Sequence, residues 1–347
     1  MLNNRHATAS GRGSLGKILR IKLGHKFENI VSIGNLLLAW KEFVSGKRTK
    51  PDVAEFSLAL MDNIFALHFD LVNSRYRHGG YKAFNISDPK PRNIHKASVR
   101  DRLLHHAIYR KLYPFFDRTF IADSFSCRLE KGTYKAPNRF RQFGYEISKN
   151  HTRTAWALKC DIKKFFANID HATLLCSLKS YIPDESIVDL LKKIIESFSS
   201  RPAMMHHSAK GLPLGNLTSQ LFVNIYMNEF DQFIKHRLKA EYYIRYADDF
   251  VILSANRGWL KSLIPRIKEF LLEKLKLELH PGKISIETLA TGVDFLGWVH
   301  FPDHRVLRTQ TKRRMLARLA VSPSPETIAS YRGLLRHGNA RKLTQLI

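Results

Sequence analysis

The sequence predicts an α+β fold built around a small antiparallel sheet of the split βαβ kind. Two observations favour it. Between residues 154 and 287 the apolar pattern indicates the order strand, helix, strand, strand, helix, strand. Within that order, the stretch YIRYADDFVIL reads as two short strands, 242–246 and 250–254, that meet at the adjacent carboxylates Asp248 and Asp249.

The remaining elements follow from the same periodicities. Apolar spacing predicts helices over most of 27–71, with a break at 46–48. The first sheet strand lies in 154–166, and helices should follow it as far as residue 195. A loop, GLPLGNLTSQ, should lead into a helix starting near Thr218 or Ser219, and a further amphipathic helix follows the central strands. Around these lie strands at 81–86, 92–96, 283–287 and 293–301, a helix from 98 to 112 that should stop at Pro114, and a helical tail.

The charge balance indicates a polyanionic partner. There are 57 Lys and Arg against 30 Asp and Glu, which gives a net charge of +27. Nucleic acid is favoured over a membrane, because the most apolar run, 30–40, is interrupted by polar residues and is too short to span a bilayer. The three cysteines lack metal or disulfide spacing, and the first residues lack a signal-peptide core, so a cytoplasmic protein is expected.

The carboxylates point to metal-dependent chemistry. In a split βαβ sheet the end of the first strand lies beside the turn between the central strands, which should bring Asp161 next to Asp248 and Asp249. Three carboxylates repel one another unless a divalent cation lies among them, and Mg²⁺ suits such a set. Two ions would clamp the attacking and leaving oxygens of a phosphoryl transfer. An isolated Asp pair is commonly a solvated turn, but here apolar strands flank it.

These residues resemble a known family. YADD (246–249), LKCDIKKFF (158–166) and LPLGNLTSQ (212–220), in this arrangement along the chain, resemble the motifs of reverse transcriptases. PKPRNI (89–94) resembles the fingers segment that meets the nucleotide, GKISI (282–286) the segment whose lysine faces pyrophosphate, and FLGW (295–298) the primer grip. The resemblance covers roughly residues 60–345 and implies a right-hand polymerase with fingers, palm and a short helical thumb.

The resemblance implies a role for each matching residue. Asp161, Asp248 and Asp249, with the backbone carbonyl of Ile162, would bind two Mg²⁺ ions, which Mn²⁺ can replace, and Lys283 would act on the pyrophosphate. Each of these roles has a structural alternative. Phe166 would simply pack in the core, Lys90, Arg92 and Lys283 would lie on a solvated surface, and the primer-grip residues would form a buried strand. The nucleotide-contacting set is Lys90, Arg92, Phe166, Leu214, Gly215 and Gln220, and the primer-grip set is Phe295, Leu296, Gly297 and Trp298.

The implied division of the chain has four parts. They are a basic arm (1–26), N-terminal helices and fingers (27–150), a palm interleaved with fingers that carries the aspartates and the primer grip (151–301), and a short basic thumb (302–347). After residue 301 there is no room for a maturase, endonuclease or ribonuclease H region.

Two departures point to one branch of the family, the diversity-generating retroelements. Leu214 stands where many relatives have Gln, and Ser219–Gln220 stands where intron-type enzymes have Ser-Pro. The implied function is error-prone copying of a structured template RNA into cDNA, with dNTPs as substrates and mistakes at template adenines. The implied partner is a small basic accessory protein of the accessory variability determinant type, in an oligomeric assembly, and the implied origin of the gene is a prokaryote or a phage. A defence-associated or orphan reverse transcriptase, and a catalytically silent RNA-binding scaffold, are the alternatives.

Overall fold

The computed structural model describes residues 21–87, 91–200, 209–321 and 323–347. Within these ranges the N-terminal region is helical, as predicted, and its break falls in the turn at 45–50. The side chain of Ser32 separates the first two helices, because it accepts a hydrogen bond from the Asn35 backbone N–H and caps the second. The four helices are α1 (Phe27–Val31), α2 (Ile33–Val44), α3 (Pro51–Leu58) and α4 (Leu60–Val72).

A two-stranded hairpin and a long helix come next, and the predicted end of that helix is wrong. The hairpin pairs β1 (Lys82–Ile86) with β2 (Arg92–Lys96), and α5 (Val99–Asp117) follows. The helix α5 continues through Pro114 because Phe115 and Phe116 are buried in the core just beyond it. Their burial offsets the roughly 3 kcal/mol that proline costs inside a helix. A further helix, α6 (Lys135–Ile147), covers one side of the sheet described next.

The predicted split βαβ sheet is present, with all neighbours antiparallel. Its spatial order is β4, β5, β3, β6, so the first strand along the chain lies between the last two. The helical segments predicted to follow the first strand and the central strands are also present. The strands are β3 (Trp156–Asp161), β4 (Tyr243–Tyr246), β5 (Asp249–Ser254) and β6 (Ser285–Thr288), and the helices are α7 (Phe165–Asn168), α8 (His171–Tyr181), α9 (Glu185–Glu196), α10 (Leu217–Gln232) and α11 (Arg257–Leu275).

The core explains why the sheet is held firmly. The helix α10 is almost entirely buried, and it packs with α5, α8 and α11 in the same apolar cluster as the N-terminal helices. A second cluster lies on the other side of the sheet, where Phe140 of α6 packs with Val251 of β5 and Phe295. Both faces of the central strand β5 are therefore covered, which explains why residues 250–253 form a continuous apolar run.

The C-terminal region differs from the predicted single strand at 293–301. That segment is a hairpin, β7 (Val293–Phe295) and β8 (Trp298–His300), because Leu296 and Gly297 both adopt positive φ and turn the chain. It continues into β9 (Arg305–Leu307), α12 (Thr309–Val321), α13 (Pro325–Leu335) and α14 (Arg341–Thr344). Trp298 packs with Leu307, Met315 and Leu335 in a small separate cluster.

Some predictions fall outside the described residues. Most of the basic arm (residues 1–20) and Lys90 lie outside them. The end of the arm is part of the fold, since Leu23 is buried and its backbone N–H donates to the Tyr181 carbonyl. The division into four parts stays a prediction. Among the described residues no helix is long and apolar enough to cross a membrane.

Candidate active site

Strand register brings the predicted carboxylates together. In the antiparallel pair of β3 and β5, Asp161 lies directly opposite Asp249. Asp248 precedes β5 in the turn after β4, and its carbonyl accepts a hydrogen bond of 3.1 Å from the backbone N–H of Ile162. Both strand ends are thereby joined at one point of the sheet. The three aspartates therefore lie where the topology of the sheet predicted them, at the meeting point of these strand ends.

Burial of the Asp249 carboxylate is not compensated by a hydrogen bond at its Oδ1 atom. Its Oδ1 atom is buried and makes no hydrogen bond within the described part of the chain. Burial is the main cause that raises the pKa of Asp249 to about 6. Lys159 acts against this rise, and the neighbouring Asp161 and Asp248 add to it. A buried oxygen in such a place favours an incoming cation.

Lys283 already contacts this group of carboxylates. Its Nζ lies 2.9 Å from Asp161 Oδ2, and about half of the Lys283 side chain is exposed. The backbone sets this position, because the His280 N–H donates to the Asp161 carbonyl and the Lys283 N–H donates to His280. The ammonium ion therefore neutralises part of the carboxylate charge, and it can swing away because its side chain reaches solvent.

A buried ion pair supports the turn that contains the two aspartates, and sequence reasoning missed it. Arg245 is fully buried, and its Nε and Nη2 each lie 2.7 Å from a carboxylate oxygen of Asp231 on α10. Its Nη1 donates to the carbonyl of Ala247, which has a positive φ of 57°. The only sequence signal was an arginine inside an otherwise apolar strand, where a buried partner is required.

The loop that contains Leu214 and Gly215 is hydrogen-bonded to the hairpin of β1 and β2. The His95 N–H donates to the Leu214 carbonyl (3.0 Å), and the Asn216 side chain donates back to the His95 carbonyl (3.2 Å). Gly215 is required there, because its φ is +104° and an added Cβ would lie 2.9 Å from Ile94 Cγ2. Leu214 and Gly215 therefore lie beside β2, the strand that begins at Arg92.

The other nucleotide-contacting candidates lie around the same loop. Phe166 is half-buried, and its carbonyl accepts a hydrogen bond from the Leu212 N–H. Arg92 is exposed, and its positive charge opposes the rise in the pKa of Tyr246 that burial causes, so it lies within electrostatic reach of the YADD turn. Gln220 lines a cavity of about 400 Å³ beside the loop. The cations that line this cavity, which the sequence did not single out, are Lys47, Lys96 and Arg102.

The four primer-grip candidates divide into two pairs. Phe295 and Trp298 are buried, each in a different apolar cluster. Leu296 and Gly297 form the tip of the hairpin, and both are partly exposed. The Gly297 carbonyl accepts a hydrogen bond from the Arg308 N–H, and the Arg308 side chain pairs with Asp294. Of the four candidates, Leu296 and Gly297 are therefore the ones that can contact another molecule.

The donor set suits a hard divalent cation. Carboxylate oxygens are the ligands that Mg²⁺ prefers, and the unpartnered Oδ1 of Asp249 is one of them. The described residues contain no group of three His, Cys, Asp or Glu side chains that is already arranged to bind a metal ion. Lys283 contacts Asp161 instead, so a cation would have to replace that contact.

The fold and site define a class, the polymerases with a split βαβ palm and carboxylates at the meeting point of its central strands. The model of the family "Reverse transcriptase (RNA-dependent DNA polymerase)" matches residues 86–300, more than half of the chain. The chain therefore belongs to the reverse transcriptase family. The predicted enzyme class, RNA-directed DNA polymerase, is confirmed at the level of the family.

The chain is also similar to curated proteins. The chain is 25% identical over 259 residues to Protein YkfC of Escherichia coli, an alignment that covers 65% of this chain and 66% of that protein. It is 26% identical over 291 residues to the group II intron-encoded protein LtrA of Lactococcus lactis, covering 65% of this chain and 46% of that protein. The chain thus spans about half to two thirds of the length of these relatives.

Among solved structures, the chain is similar to a telomerase from Candida albicans that was determined with a fragment of telomeric RNA. The sequence identity is 11%, the TM-score is 0.49, and the match covers 68% of this chain and 48% of that one. So distant a similarity supports no argument about this protein.

Proposed function

We propose that this protein is an RNA-directed DNA polymerase that extends a primer on a structured RNA template. One observation carries the proposal: Asp161 lies opposite Asp249 across two strands, and Asp248 lies in the adjoining turn. A carboxylate group at the end of such strands serves nucleotidyl transfer, because phosphate oxygens and carboxylates can share the same cations. The net charge of +27 supports a nucleic-acid substrate.

The chain's own residues divide the work of the reaction. Arg92 and the loop at Leu214 and Gly215 would position the triphosphate and base of the dNTP, and Phe166 would lie under the sugar. Lys283, released from Asp161, would neutralise the leaving pyrophosphate. Leu296 and Gly297 would hold the primer end from the opposite side. Lys90 lies outside the described residues, and its proposed contact with the triphosphate rests on the sequence motif alone.

Two Mg²⁺ ions, replaceable by Mn²⁺, would supply Lewis-acid stabilisation of the attacking and leaving oxygens. Asp161, Asp248, Asp249 and the carbonyl of Ile162 are the residues that would bind them. The buried, unpartnered oxygen of Asp249 and its raised pKa support this proposal, because a cation would satisfy that oxygen and return the pKa towards its usual range.

Primer extension tests the proposal directly. Wild-type protein, Asp248→Asn and the matched surface variant Asp303→Asn are compared on a defined RNA template with an annealed DNA primer, dNTPs and Mg²⁺. We expect extension by the wild type and by Asp303→Asn, and a loss of at least about 10³-fold in Asp248→Asn. Extension that survives in Asp248→Asn would show that these carboxylates are not the catalytic ones. No extension by a wild type that binds the RNA would favour the scaffold alternative.

We further propose that copying is error-prone at template adenines, as in diversity-generating retroelements. The observation that favours this is Leu214, whose backbone is fixed to β2 while its side chain offers the nucleotide no hydrogen bond. A polar side chain there would add a contact that depends on correct pairing, and its absence weakens discrimination between bases. A small basic accessory protein and a structured RNA would assist the reaction.

Sequencing the cDNA of wild type and Leu214→Gln tests this refinement. We expect the wild type to misincorporate mainly opposite adenine, and Leu214→Gln to lower that error several-fold while extension continues. Leu212→Met, a volume-conserving change at a buried position of the same loop, is the control and should leave the error spectrum unchanged. Faithful copying by the wild type would favour the defence-associated or orphan alternative.

A further inference from the structure

One face of α4 is apolar and about half exposed, and within the described part of the chain the Arg75 guanidinium lies over one of its rings, 5.5 Å from the centre of Phe69. Met61, Phe65, Phe69 and Val72 are 43%, 49%, 53% and 54% exposed. Their spacing of four, four and three residues places them along one side of the helix. Leu58, which ends α3 just before, is 91% exposed. We call these five residues the α4 stripe.

The stripe is not the core-facing side of the helix. Ile64, Leu67 and Leu71 of α4 are buried and form the side that packs on the N-terminal helices. The Nδ1–H of His68, at the edge of the helix, donates a hydrogen bond to the carbonyl of Val31. The α4 helix thus has two apolar sides, and only one is satisfied within the chain. A helix that is apolar on two sides normally packs against something on both.

The local charge around the stripe gives nucleic acid no advantage there. Residues 51–74 contain no Lys or Arg and four acids, Asp52, Glu55, Asp62 and Asp70, in a chain whose net charge is +27. Asp52 and Asp70 pair with cations of other elements, so the local charges largely cancel. Two copies of so basic a chain repel each other over most of their surfaces, and they repel least where the local charge is low.

The order of residues suits a second copy of the same helix. Counted from Phe65, Met61 and Phe69 lie at −4 and +4 on α4, so this central part of the stripe is unchanged when the helix is reversed. Leu58 of α3 and Val72 of α4 lie beyond it, at −7 and +7. In an antiparallel pair about a two-fold axis through Phe65, Met61 faces Phe69 of the second copy and Phe65 faces its own equivalent. Such self-complementarity is what a two-fold interface requires. Met–Phe and Phe–Phe contacts are favourable pairs.

The available area is adequate for a stable dimer. With these exposed fractions the stripe presents on the order of 500 Å² of apolar surface, at the upper end for a monomer. A standard interface buries about 800 Å² on each partner, of which about 60% is apolar. The stripe alone supplies that apolar share. We infer that the protein forms a two-fold dimer in which the α4 stripes of two copies pack antiparallel about Phe65.

The mass of the full-length, nuclease-treated protein tests the dimer. Sedimentation velocity at high micromolar concentration should give a species of twice 40.1 kDa. Raising the salt from 0.15 M to 0.5 M should increase the dimer fraction, because screening reduces repulsion between the two basic chains. A wild type that stays monomeric would overturn the inference and leave the stripe to another kind of partner. A dimer that dissociates with salt or nuclease would indicate bridging RNA and would also overturn it.

A charge-pairing experiment tests the two-fold axis itself. Phe65→Glu and Phe65→Lys should each be monomeric, because each places two like charges opposite each other at the axis. An equimolar mixture of the two variants should recover the dimer as a heterodimer. Leu272→Glu, which changes a residue of α11 that is 56% exposed, is the matched control and should remain dimeric. Circular dichroism confirms that each variant is folded. A Phe65→Glu protein that is folded and dimeric would overturn the proposed interface.

Discussion

At the scale of the residue, the most constrained side chain near the site is Arg245. It is fully buried, it pairs with Asp231 through two bonds, and it also donates to the backbone of the turn that precedes Asp248. Tyr243 donates a further hydrogen bond to Asp231. A buried charge pair of this kind adds little stability relative to apolar residues, but loss of one partner strands the other charge in the core.

This predicts strong coupling between the two residues. Arg245→Met should lower the free energy of unfolding by about 3–5 kcal/mol, whereas Arg245→Met combined with Asp231→Leu should cost clearly less than the sum of the two single changes. Urea denaturation of the four proteins in the cycle measures the coupling. Glu278→Gln, which removes the exposed pair with Lys163, is the control and should cost at most about 1 kcal/mol. Additive effects of the buried pair would contradict the prediction.

A second residue-scale feature is His105, which lies on α5 and is completely buried. Neither of its ring nitrogens has a hydrogen-bond partner within the described part of the chain, and its ring stacks on His78 at 5.3 Å. Burial is the main cause that lowers the pKa of His105 to about 3, and the charges of His78, His106 and Arg102 add to this while Asp101 opposes it.

His105 should make stability depend on pH. Its pKa is lower in the folded state than in the unfolded state, so the unfolded state binds the extra proton between pH 6.5 and about 3, and stability falls as the pH falls through that window. From pH 7 to 5 its share of the loss is about 2 kcal/mol. In urea denaturation at both pH values, His105→Phe should show a correspondingly smaller loss, and His236→Gln, at an exposed histidine, should match the wild type. An unchanged loss in His105→Phe would refute the assignment.

At the scale of the element, the contact between β2 and the loop before α10 determines how the nucleotide-contacting residues are placed. Asn216 precedes α10 and is 2% exposed, yet its side chain does not cap that helix. It bonds to the His95 carbonyl of β2 instead, beside the bond between the His95 N–H and Leu214. A residue type that usually caps helices thus joins two elements that approach each other only in the folded chain.

Asn216→Ala should therefore affect nucleotide binding more than chemistry. Without the side-chain bond, the hairpin that begins at Arg92 is less well fixed to the loop, and we expect KM for dNTP to rise several-fold while kcat changes little. Steady-state primer extension measures both constants. Asn73→Ala, at an exposed asparagine whose side chain bonds only within its own turn, is the control. A fall in kcat at unchanged KM would mean that Asn216 acts on the reacting atoms themselves.

At the scale of the whole molecule, charge should govern affinity for RNA. With 57 basic against 30 acidic residues, binding to a structured RNA should release many counterions. We expect the affinity to fall about 10³-fold or more between 50 and 200 mM salt, as it does when six or more phosphates are contacted. Fluorescence anisotropy of a labelled RNA across a salt series measures the slope. A shallow slope, equivalent to one or two phosphate contacts, would contradict this prediction.

The sequence by itself predicted the order of the sheet strands along the chain, the split βαβ sheet and the meeting of three carboxylates at its strand ends, because period-two patterns and polar residues at strand ends are local signals. Only the tertiary structure decided how those signals were used. It continued α5 through Pro114, it folded 293–301 into a hairpin, and it buried His105 and Arg245. Each of these depends on what packs against the residue from distant parts of the chain, and burial and partner choice are properties of the assembled core that no single segment encodes.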